Sequence, residues 1–343
     1  MFQTRRNEIS SPHGNGVPRY FGRQTGGFTM QNKFTKLMGI QYPILQGGMA
    51  WSSDGTLAAA VSNAGAAGII GSGGRTTEWV EEEIRKAKSL TAKPFGVNLM
   101  LMAPNVKEIA ELVCREKVAF ITTGAGSPVP WIEPMHAAGV KIIPVVPNVK
   151  LARRVAAAGV DAMVIEGMEG GGHIGTLSIM ALLENVLRDS YDIPVLAAGG
   201  IADGRALAAA LLMGADGVQM GSRFLLTTEC PIHEKTKDMI VHAVDTDNVV
   251  TGYSRGMGVR CLKNAFTEKY LAAEISGAPK ETLMELGTGT SRIGMKEGDT
   301  VNGSIMVGES LAVLNDILPC QEVVDRIIQE ARETLARARD IEL

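Results

Sequence analysis

The chain lacks the features that mark several large classes of protein. It has four cysteines in 343 residues, Cys114, Cys230, Cys261 and Cys320, and none forms a CxxC pair. Neither a zinc site nor a disulfide framework is therefore indicated. No uninterrupted apolar stretch reaches the roughly 18 residues that span a membrane, and P-loop and HExxH patterns are absent. Reduced thiols in a cytoplasmic protein without a membrane span are the simplest account.

Charge of one sign is not in excess either. The formal net charge is −3, which argues against a general nucleic-acid binder. Glycine, in contrast, is abundant, with 40 residues in 343, or about 12% against a usual 7%. Because these glycines cluster at the ends of apolar runs, they indicate loops that serve a ligand rather than low complexity.

Residues 1–30 differ from the rest in composition. They carry Arg5, Arg6, Arg19 and Arg23 against the single acid Glu8, and they show no apolar periodicity. We expect a disordered N-terminal extension. A transit peptide and a non-native leader before a natural start at Met30 both stay open.

Eight apolar, strand-like runs alternate with helix-like segments from residue 40 onward. They cover residues 42–46, 67–71, 95–99, 118–122, 140–146, 161–165, 194–197 and 217–220. Their starts are about 20 to 33 positions apart, the length of a βα unit. Continuous apolar strands fit a parallel sheet that is buried on both faces. The pattern predicts an α/β TIM barrel of the (β/α)8 type, with a doubly wound sheet as the alternative.

Polar residues and glycines gather where these strands end. Barrel active sites lie at this carboxyl-terminal face, and phosphates commonly bind at the loops after strands seven and eight. The segments 198–204 and 219–223 fit that phosphate role. Glycines that merely turn βα corners are the alternative for any single loop, whereas six or seven on one face favour a bound ligand.

The most informative stretch runs from Glu166 to Gly175, directly after the sixth strand. It holds two carboxylates, His173 and five glycines in ten residues. Histidine suits proton transfer near neutral pH, and bare backbone lets a ligand approach closely. The stretch predicts a cofactor pocket with a proton donor, against the alternative of a flexible loop with an incidental histidine.

Residues 223–295 interrupt the alternation with short, irregular segments and no clear βα unit. We expect a substrate or lid subdomain over the barrel mouth, inserted after the eighth strand. The barrel itself then comprises residues 31–222 and 296–343. Residues 302–308 have the composition of another ligand-approach loop, and a helical tail is predicted over 321–339.

Several of these motifs recur together in one known family. The segments 43–51, 96–98, 123–126, 166–175, 197–204 and 219–223 resemble, in that order, the flavin-dependent enoyl-acyl-carrier-protein reductases of the FabK type. These enzymes are relatives of the nitronate monooxygenases, formerly called 2-nitropropane dioxygenases. The resemblance covers about residues 33–343. Gly170 departs from the alanine that the family often has before Gly-Gly-His, which leaves the histidine spacing intact.

The resemblance implies an FMN-binding barrel in which His173 is the catalytic histidine. It also implies cofactor-binding roles for fourteen residues: Gly47, Gly48, Met49, Ala50, Asn98, Glu166, Gly171, Gly199, Gly200, Gln219, Gly221, Ser222, Met306 and Gly308. A monovalent cation near the site is a further implied feature, with no ligands assigned.

The implied activity is NAD(P)H-dependent reduction of an enoyl-acyl-carrier-protein or enoyl-CoA thioester in fatty-acid elongation. FMN would relay hydride from NADH or NADPH to the β-carbon, and His173 is the candidate donor of the proton that the α-carbon then needs. Nitronate monooxygenase is the main alternative. A Schiff-base aldolase would need a lysine where Glu166 stands, and a non-catalytic scaffold stays open. The oligomeric state also stays open, with a homodimer among the options.

Overall fold

The computed structural model describes residues 31–341. The disorder expected for residues 1–30 therefore lies outside the described residues. Among residues 31–341, no helix is both long and apolar enough to cross a membrane. All four cysteines lie in this part of the chain and carry free thiols.

The described elements follow the chain in this order: α1 (Lys33–Met38), β1 (Ile44–Gln46), α2 (Gly55–Asn63), β2 (Gly68–Gly71), α3 (Thr77–Leu90), β3 (Phe95–Met100), α4 (Val106–Glu116), β4 (Phe120–Gly124), α5 (Val129–Ala137), β5 (Lys141–Val146), α6 (Val149–Ala157), β6 (Met163–Glu166), β7 (Gly172–His173), α7 (Ile179–Leu187), β8 (Val195–Ala198), α8 (Gly204–Leu212), β9 (Gly217–Met220), α9 (Ser222–Leu225), α10 (Glu234–Val241), β10 (Asn248–Thr251), β11 (Val259–Leu262), α11 (Ala265–Ile275), α12 (Lys280–Gly287), α13 (Thr290–Arg292) and α14 (Cys320–Ala338). Short 3₁₀ turns occupy Tyr253–Arg255 and Leu311–Val313, and Ile293–Glu297 is a π-helical turn.

Eight parallel strands form the barrel in the order β1-β9-β8-β6-β5-β4-β3-β2. A parallel bridge between Leu45 and Ala67 joins the two ends of this order, with the Gln46 N–H donating to the Ala67 carbonyl at 2.8 Å. The predicted TIM barrel is therefore confirmed, and each of its strands overlaps one of the eight apolar runs.

Apolar side chains fill the inside of the barrel. Leu45, Phe120 and Leu196 are fully buried there, together with Phe34 of α1. A Cβ atom added to Gly217, at the start of β9, would lie 3.2 Å from the Phe34 ring. Helix α1 therefore closes the amino-terminal end of the barrel, which leaves the opposite end for a ligand.

Local sequence signals begin several of the outer helices. The side chains of Thr76, Asn148 and Asp203 accept hydrogen bonds from backbone N–H groups in the first turns of α3, α6 and α8. Such N-caps satisfy donors that a helix start leaves unpaired. They also fix where each βα loop ends, at the face of the barrel where the candidate residues lie.

The segment after the eighth strand differs from the sequence expectation. Strands β10, β11 and β7 form a second, antiparallel sheet, in which Val259 pairs with His173 and Arg260 pairs with Gly172. The region is thus partly regular, and part of the histidine loop is a strand. The domain boundaries at 222/223 and 295/296 stay predictions.

Candidate active site

The loop after β1 packs between the loops that follow its neighbours. A Cβ atom on Gly48 would lie 2.3 Å from the Asn98 Cβ, and one on Gly47 would lie 3.5 Å from the Gly221 Cα. The Met49 Sδ is 3.6 Å from the corresponding point on Gly221. Only glycine permits this approach at position 48, so the β1, β3 and β9 loops meet at one place, which also includes Ala50.

A buried amide holds this first loop in shape. The Gln46 Nε2 donates to the Gly47 carbonyl, to the Ser53 hydroxyl and to the Ile69 carbonyl at 2.9–3.0 Å, while its Oε1 accepts from the Ile69 N–H. The oxygen and the nitrogen of the Gln46 amide are therefore both hydrogen-bonded within the barrel wall. Gln46 was not among the predicted site residues, because a glutamine in a short apolar run carries no signal of a network.

The candidate residues after β8 and β9 form a glycine-rich cradle. Gly199 and Gly200 adopt left-handed backbone angles, with φ of 96° and 68°. Helix α9 begins at Ser222, whose hydroxyl accepts from the Gly308 N–H at 2.9 Å. Gly221 precedes it. Exposed backbone beside a helix start is the usual setting for a phosphate.

The segment that includes Met306 and Gly308 returns from beyond the insertion onto this cradle. A Cβ atom on Gly171 would lie 2.7–2.8 Å from backbone atoms of Val307 and Gly308, and one on Gly172 would lie 3.4 Å from the Met306 Sδ. The Ser310 hydroxyl also donates to the Gly200 carbonyl at 2.7 Å. Residues distant in sequence are therefore brought together here.

Two polar side chains point into this region without full pairing. The Gln219 Oε1 is buried and has no hydrogen-bond partner among residues 31–341. The Asn98 Nδ2 donates to the Thr122 hydroxyl at 3.0 Å. An orphaned buried acceptor is costly to leave unpaired, which fits a ligand that carries a hydrogen-bond donor.

Glu166 and Glu169 have different surroundings. Both carboxylate oxygens of Glu169 accept from the Ile179 N–H at 2.9 Å, at the start of α7. The Glu166 carboxyl is surrounded by protein, although part of its side chain faces the open mouth. Burial raises the pKa of Glu166 to about 7, with no hydrogen bond from described residues to lower it. The loop's structural carboxylate is Glu169, and Glu166 is left to meet a ligand.

His173 stands at the rim of the mouth on β7. Its backbone is fixed by β11, and the next residue, Ile174, donates its N–H to the Gly258 carbonyl at 3.0 Å. The side chain is exposed to solvent and makes no hydrogen bond to residues 31–341, while the protein around the ring lowers its pKa by partial desolvation. A lowered pKa leaves the ring mostly neutral at pH 7 and makes its protonated form a stronger acid.

Arg260 anchors the histidine loop to the insertion. Its guanidinium donates twice to the Met168 carbonyl, at 3.0 and 3.3 Å, and once to the Asn248 side chain at 2.9 Å. It also pairs with Glu309 at 2.7 Å, with 5% of its own side chain exposed. Sequence analysis assigned this arginine no role, and its contacts are structural.

Two cavities lie beside this mouth rather than in it. One of about 700 Å³ opens between α8, α14 and residues 312–318, and one of about 440 Å³ reaches Gly200 from outside. Neither includes His173 or Glu166. Among the described residues, no three His, Cys, Asp or Glu side chains are grouped to hold a metal ion. The expected monovalent cation stays a prediction.

Comparison with known proteins agrees with this geometry. The nitronate monooxygenase family model matches residues 31–116 and 107–330. The chain belongs to this family. The predicted family resemblance is thereby confirmed.

The names of the individual relatives indicate different activities. The structure is similar to that of FabK from Thermotoga maritima, at 42% identity and a TM-score of 0.88, over 91% of this chain and 99% of that one. A 5-hydroxy-7a-methyl-1-oxo-octahydro-1H-indene-4-carboxyl-CoA dehydrogenase of Rhodococcus jostii is 34% identical over 88% of this chain and 96% of its own length. A probable nitronate monooxygenase of Staphylococcus haemolyticus is 30% identical, over 90% and 99%. The chain is therefore an oxidoreductase of the nitronate monooxygenase family.

Proposed function

We propose that the protein is an FMN-dependent, NAD(P)H-using reductase of enoyl thioesters, with an enoyl-acyl carrier protein or an enoyl-CoA as substrate. The observation that carries the proposal is a mouth in which the Glu166 carboxyl, the Gln219 Oε1 and the His173 ring have no hydrogen-bond partner among residues 31–341, beside a glycine-lined cradle. Such a mouth fits a ligand with a phosphate at one end and a hydrogen-bonding edge at the other.

The residues divide into those that would hold FMN and those that would act on substrate. Gly199, Gly200, Gly221 and Ser222 would hold the phosphate, with Gly171, Met306 and Gly308 closing the path. Gly308 contacts Ser222 at the start of α9, and Gly171 lies against Gly308. Gly47, Gly48, Met49 and Ala50 would pack beside the ring, and Asn98, Glu166 and Gln219 would bond its polar groups. When bound, FMN would supply hydride transfer from NAD(P)H to the thioester.

His173 would donate the proton that the α-carbon needs. Its backbone is held by the pairing of β7 with β11, and its ring makes no competing hydrogen bond within residues 31–341, so the ring can bond substrate. Because burial lowers its pKa, proton transfer from the charged ring is favoured, while the charged fraction falls as pH rises. Strand β11 and the insertion would restrict water around this donor.

Two relatives support a thioester substrate. FabK resembles this chain over nearly its full length, and the Rhodococcus jostii enzyme is named as a dehydrogenase of a carboxyl-CoA. The second candidate function is nitronate oxidation by O₂, which the family model and the Staphylococcus haemolyticus relative favour. In that reaction His173 would serve as a base or an orienting group.

Two measurements test the proposal. The cofactor is released from purified protein and identified by mass, with FMN as the expected result. Crotonyl-CoA with NADH or NADPH, and alkyl nitronates with O₂, are then compared as substrates. FAD alone, or no flavin after reconstitution, would contradict the cofactor, and nitronate turnover without thioester reduction would favour the second candidate.

A further inference from the structure

Arg75 lies beside the loop that is proposed to contact the flavin ring. It follows the glycine run at the end of β2. A Cβ atom on Gly73 would lie 3.2 Å from the Ala50 Cβ, and one on Gly74 would lie 2.8 Å from the Trp51 ring. The loops after β1 and β2 are therefore in direct contact, and Arg75 is at the edge of the barrel mouth.

Two indole rings hold the Arg75 guanidinium in place. Its Cζ is 4.0 Å from the centroid of Trp51 and 4.2 Å from that of Trp79. Trp51 has a left-handed backbone with φ of 66°, which is a rare and strained state for a bulky residue. The sandwich keeps a planar cation fixed before any ligand arrives.

The same guanidinium has no acceptor. Its Nε is buried without a partner, and within residues 31–341 its side chain forms neither a hydrogen bond nor an ion pair. The nearby acids are engaged elsewhere, because Glu83 accepts from Lys86 at 2.8 Å and from the Gly55 N–H at 2.8 Å. Asp54 accepts from the Leu57 N–H at 2.9 Å. The N–H groups of a half-buried arginine rarely stay without acceptors, unless a bound ligand supplies them.

A second cation, Lys296, lies in the π-helical turn Ile293–Glu297, where the chain returns to the barrel. The Lys296 Nζ donates to the Pro231 carbonyl at 3.1 Å, and it forms no ion pair with a described carboxylate. Burial lowers the pKa of Lys296, and the positive charge of Arg75 lowers it further, whereas the charges of Asp54 and Glu83 raise it. Lys296 is therefore within electrostatic reach of Arg75, and a phosphate that contacts the unpaired guanidinium would also be attracted by this lysine.

We propose that Arg75 and Lys296 form a phosphate-binding site at the edge of the mouth, which holds a phosphate of CoA or of the dinucleotide. The proposal rests on the proposed function and deepens it, because it assigns a phosphate of CoA or of the dinucleotide to a position beside the loops after β1 and β2. A planar guanidinium donates in pairs to phosphate oxygens, and the Lys296 ammonium would add a second positive charge beside them.

Equilibrium titration calorimetry on the flavin-containing protein tests the site without relying on turnover. The probes are CoA, 3′-dephospho-CoA, pantetheine, NADPH and NADH. The variants are Arg75→Met, Arg75→Lys and Lys296→Met, with the exposed residues Arg85→Met and Lys93→Met as matched controls. Arg75→Met should raise the dissociation constant of at least one phosphate-bearing probe by a factor about 10 to 100 times the factor for pantetheine. Arg75→Lys should give a dissociation constant between those of the wild type and Arg75→Met.

The pattern among the probes identifies the phosphate. A loss for CoA but not 3′-dephospho-CoA indicates the 3′-phosphate, a loss for both indicates the pyrophosphate, and a loss for NADPH over NADH indicates the 2′-phosphate. Equal losses on every probe including pantetheine, or changes within twofold of the controls, would overturn the site. If wild-type protein binds CoA through its phosphate but reduces no enoyl thioester, the proposed function fails while the site stands.

Discussion

At the scale of single residues, the loop after β6 contains two carboxylates and a histidine with separate surroundings. Glu169 accepts from the backbone at the start of α7, whereas no hydrogen bond from residues 31–341 reaches the Glu166 carboxyl or the His173 ring. The sequence shows all three within eight residues, and the family resemblance named only Glu166 and His173 as site residues. The sequence alone could not separate them, because spacing within a glycine-rich loop does not determine which side chain turns toward which N–H.

The first prediction concerns His173→Ala. The variant should keep FMN and accept hydride from NAD(P)H, but it should lose enoyl reduction by roughly 10²–10⁴-fold, as expected for removal of a general acid. Rapid-mixing absorbance separates flavin reduction from flavin reoxidation by crotonyl-CoA. Since burial lowers the His173 pKa, wild-type reoxidation should slow as pH rises through and above that pKa.

The variant should lack this pH dependence. Survival of both half-reactions in His173→Ala would mean that the histidine is structural. A wild-type reoxidation rate that rises with pH would instead indicate a base.

The second prediction concerns Glu166→Gln in flavin-free protein. The raised pKa of about 7 means that the folded state binds more protons than the unfolded state between about pH 4.5 and 7. The free energy of unfolding therefore falls as pH rises through this window. Glutamine cannot ionise, so the variant should be the more stable protein above pH 7, by about 2–3 kcal/mol.

Denaturant unfolding of both proteins at several pH values measures this difference. It should be small near pH 4.5 and level off above pH 8. A difference that does not change with pH would show that the Glu166 carboxyl is not enclosed as described.

At the scale of elements, the strands of the regular barrel were predictable from the sequence, and the strands of the second sheet were not. All eight predicted runs overlap barrel strands, and helix α14 begins and ends within one residue of the predicted tail. Long apolar runs that recur with βα spacing are a strong signal. Strands β7, β10 and β11 have two to four residues each, so they are too short to show a period, and their pairing depends on contacts distant in sequence.

The third prediction uses two glycines with matched backbone angles. Gly200 has φ of 68° and would place a Cβ atom 3.1 Å from the Glu169 Cβ, whereas Gly139 has φ of 75° and nothing within 4 Å. Leucine at either position carries the left-handed backbone cost of about 1–2 kcal/mol. Only Gly200→Leu should also lower the flavin content, measured as bound FMN per protein, because it occupies the proposed phosphate cradle. Equal flavin in the two variants would contradict the cradle.

The fourth prediction concerns Arg260→Met, which removes the anchor between β11 and the histidine loop. The lost bonds to Met168 and Glu309 should lower the free energy of unfolding by about 1–3 kcal/mol. They should also lower the rate of enoyl reduction, because β7 loses part of its support. Arg255→Met is the control, since Arg255 is exposed and makes one bond, to the Ala278 carbonyl. If Arg260→Met has the same stability and turnover as Arg255→Met, Arg260 does not support the histidine loop.

At the scale of the whole molecule, one face of the barrel collects every predicted site residue. Strand order alone places the loops after β1, β3, β6, β8 and β9 at the same end, so the sequence was sufficient to predict which residues converge. It was not sufficient to predict how Met306 and Gly308 reach them, because that path depends on the fold of the preceding insertion. Because these residues converge at one face, the proposal of a flavin-dependent reductase can be tested at a single site.

The most direct test of the proposed reductase activity is to measure NAD(P)H oxidation under anaerobic conditions, with and without an enoyl thioester. Crotonyl-CoA should support continuous oxidation and be converted to butyryl-CoA in equal amount, whereas without it oxidation should stop after one equivalent of flavin is reduced. Continuous oxidation that requires O₂ and ignores the thioester, or no flavin reduction at all, would contradict the assignment of an enoyl-thioester reductase.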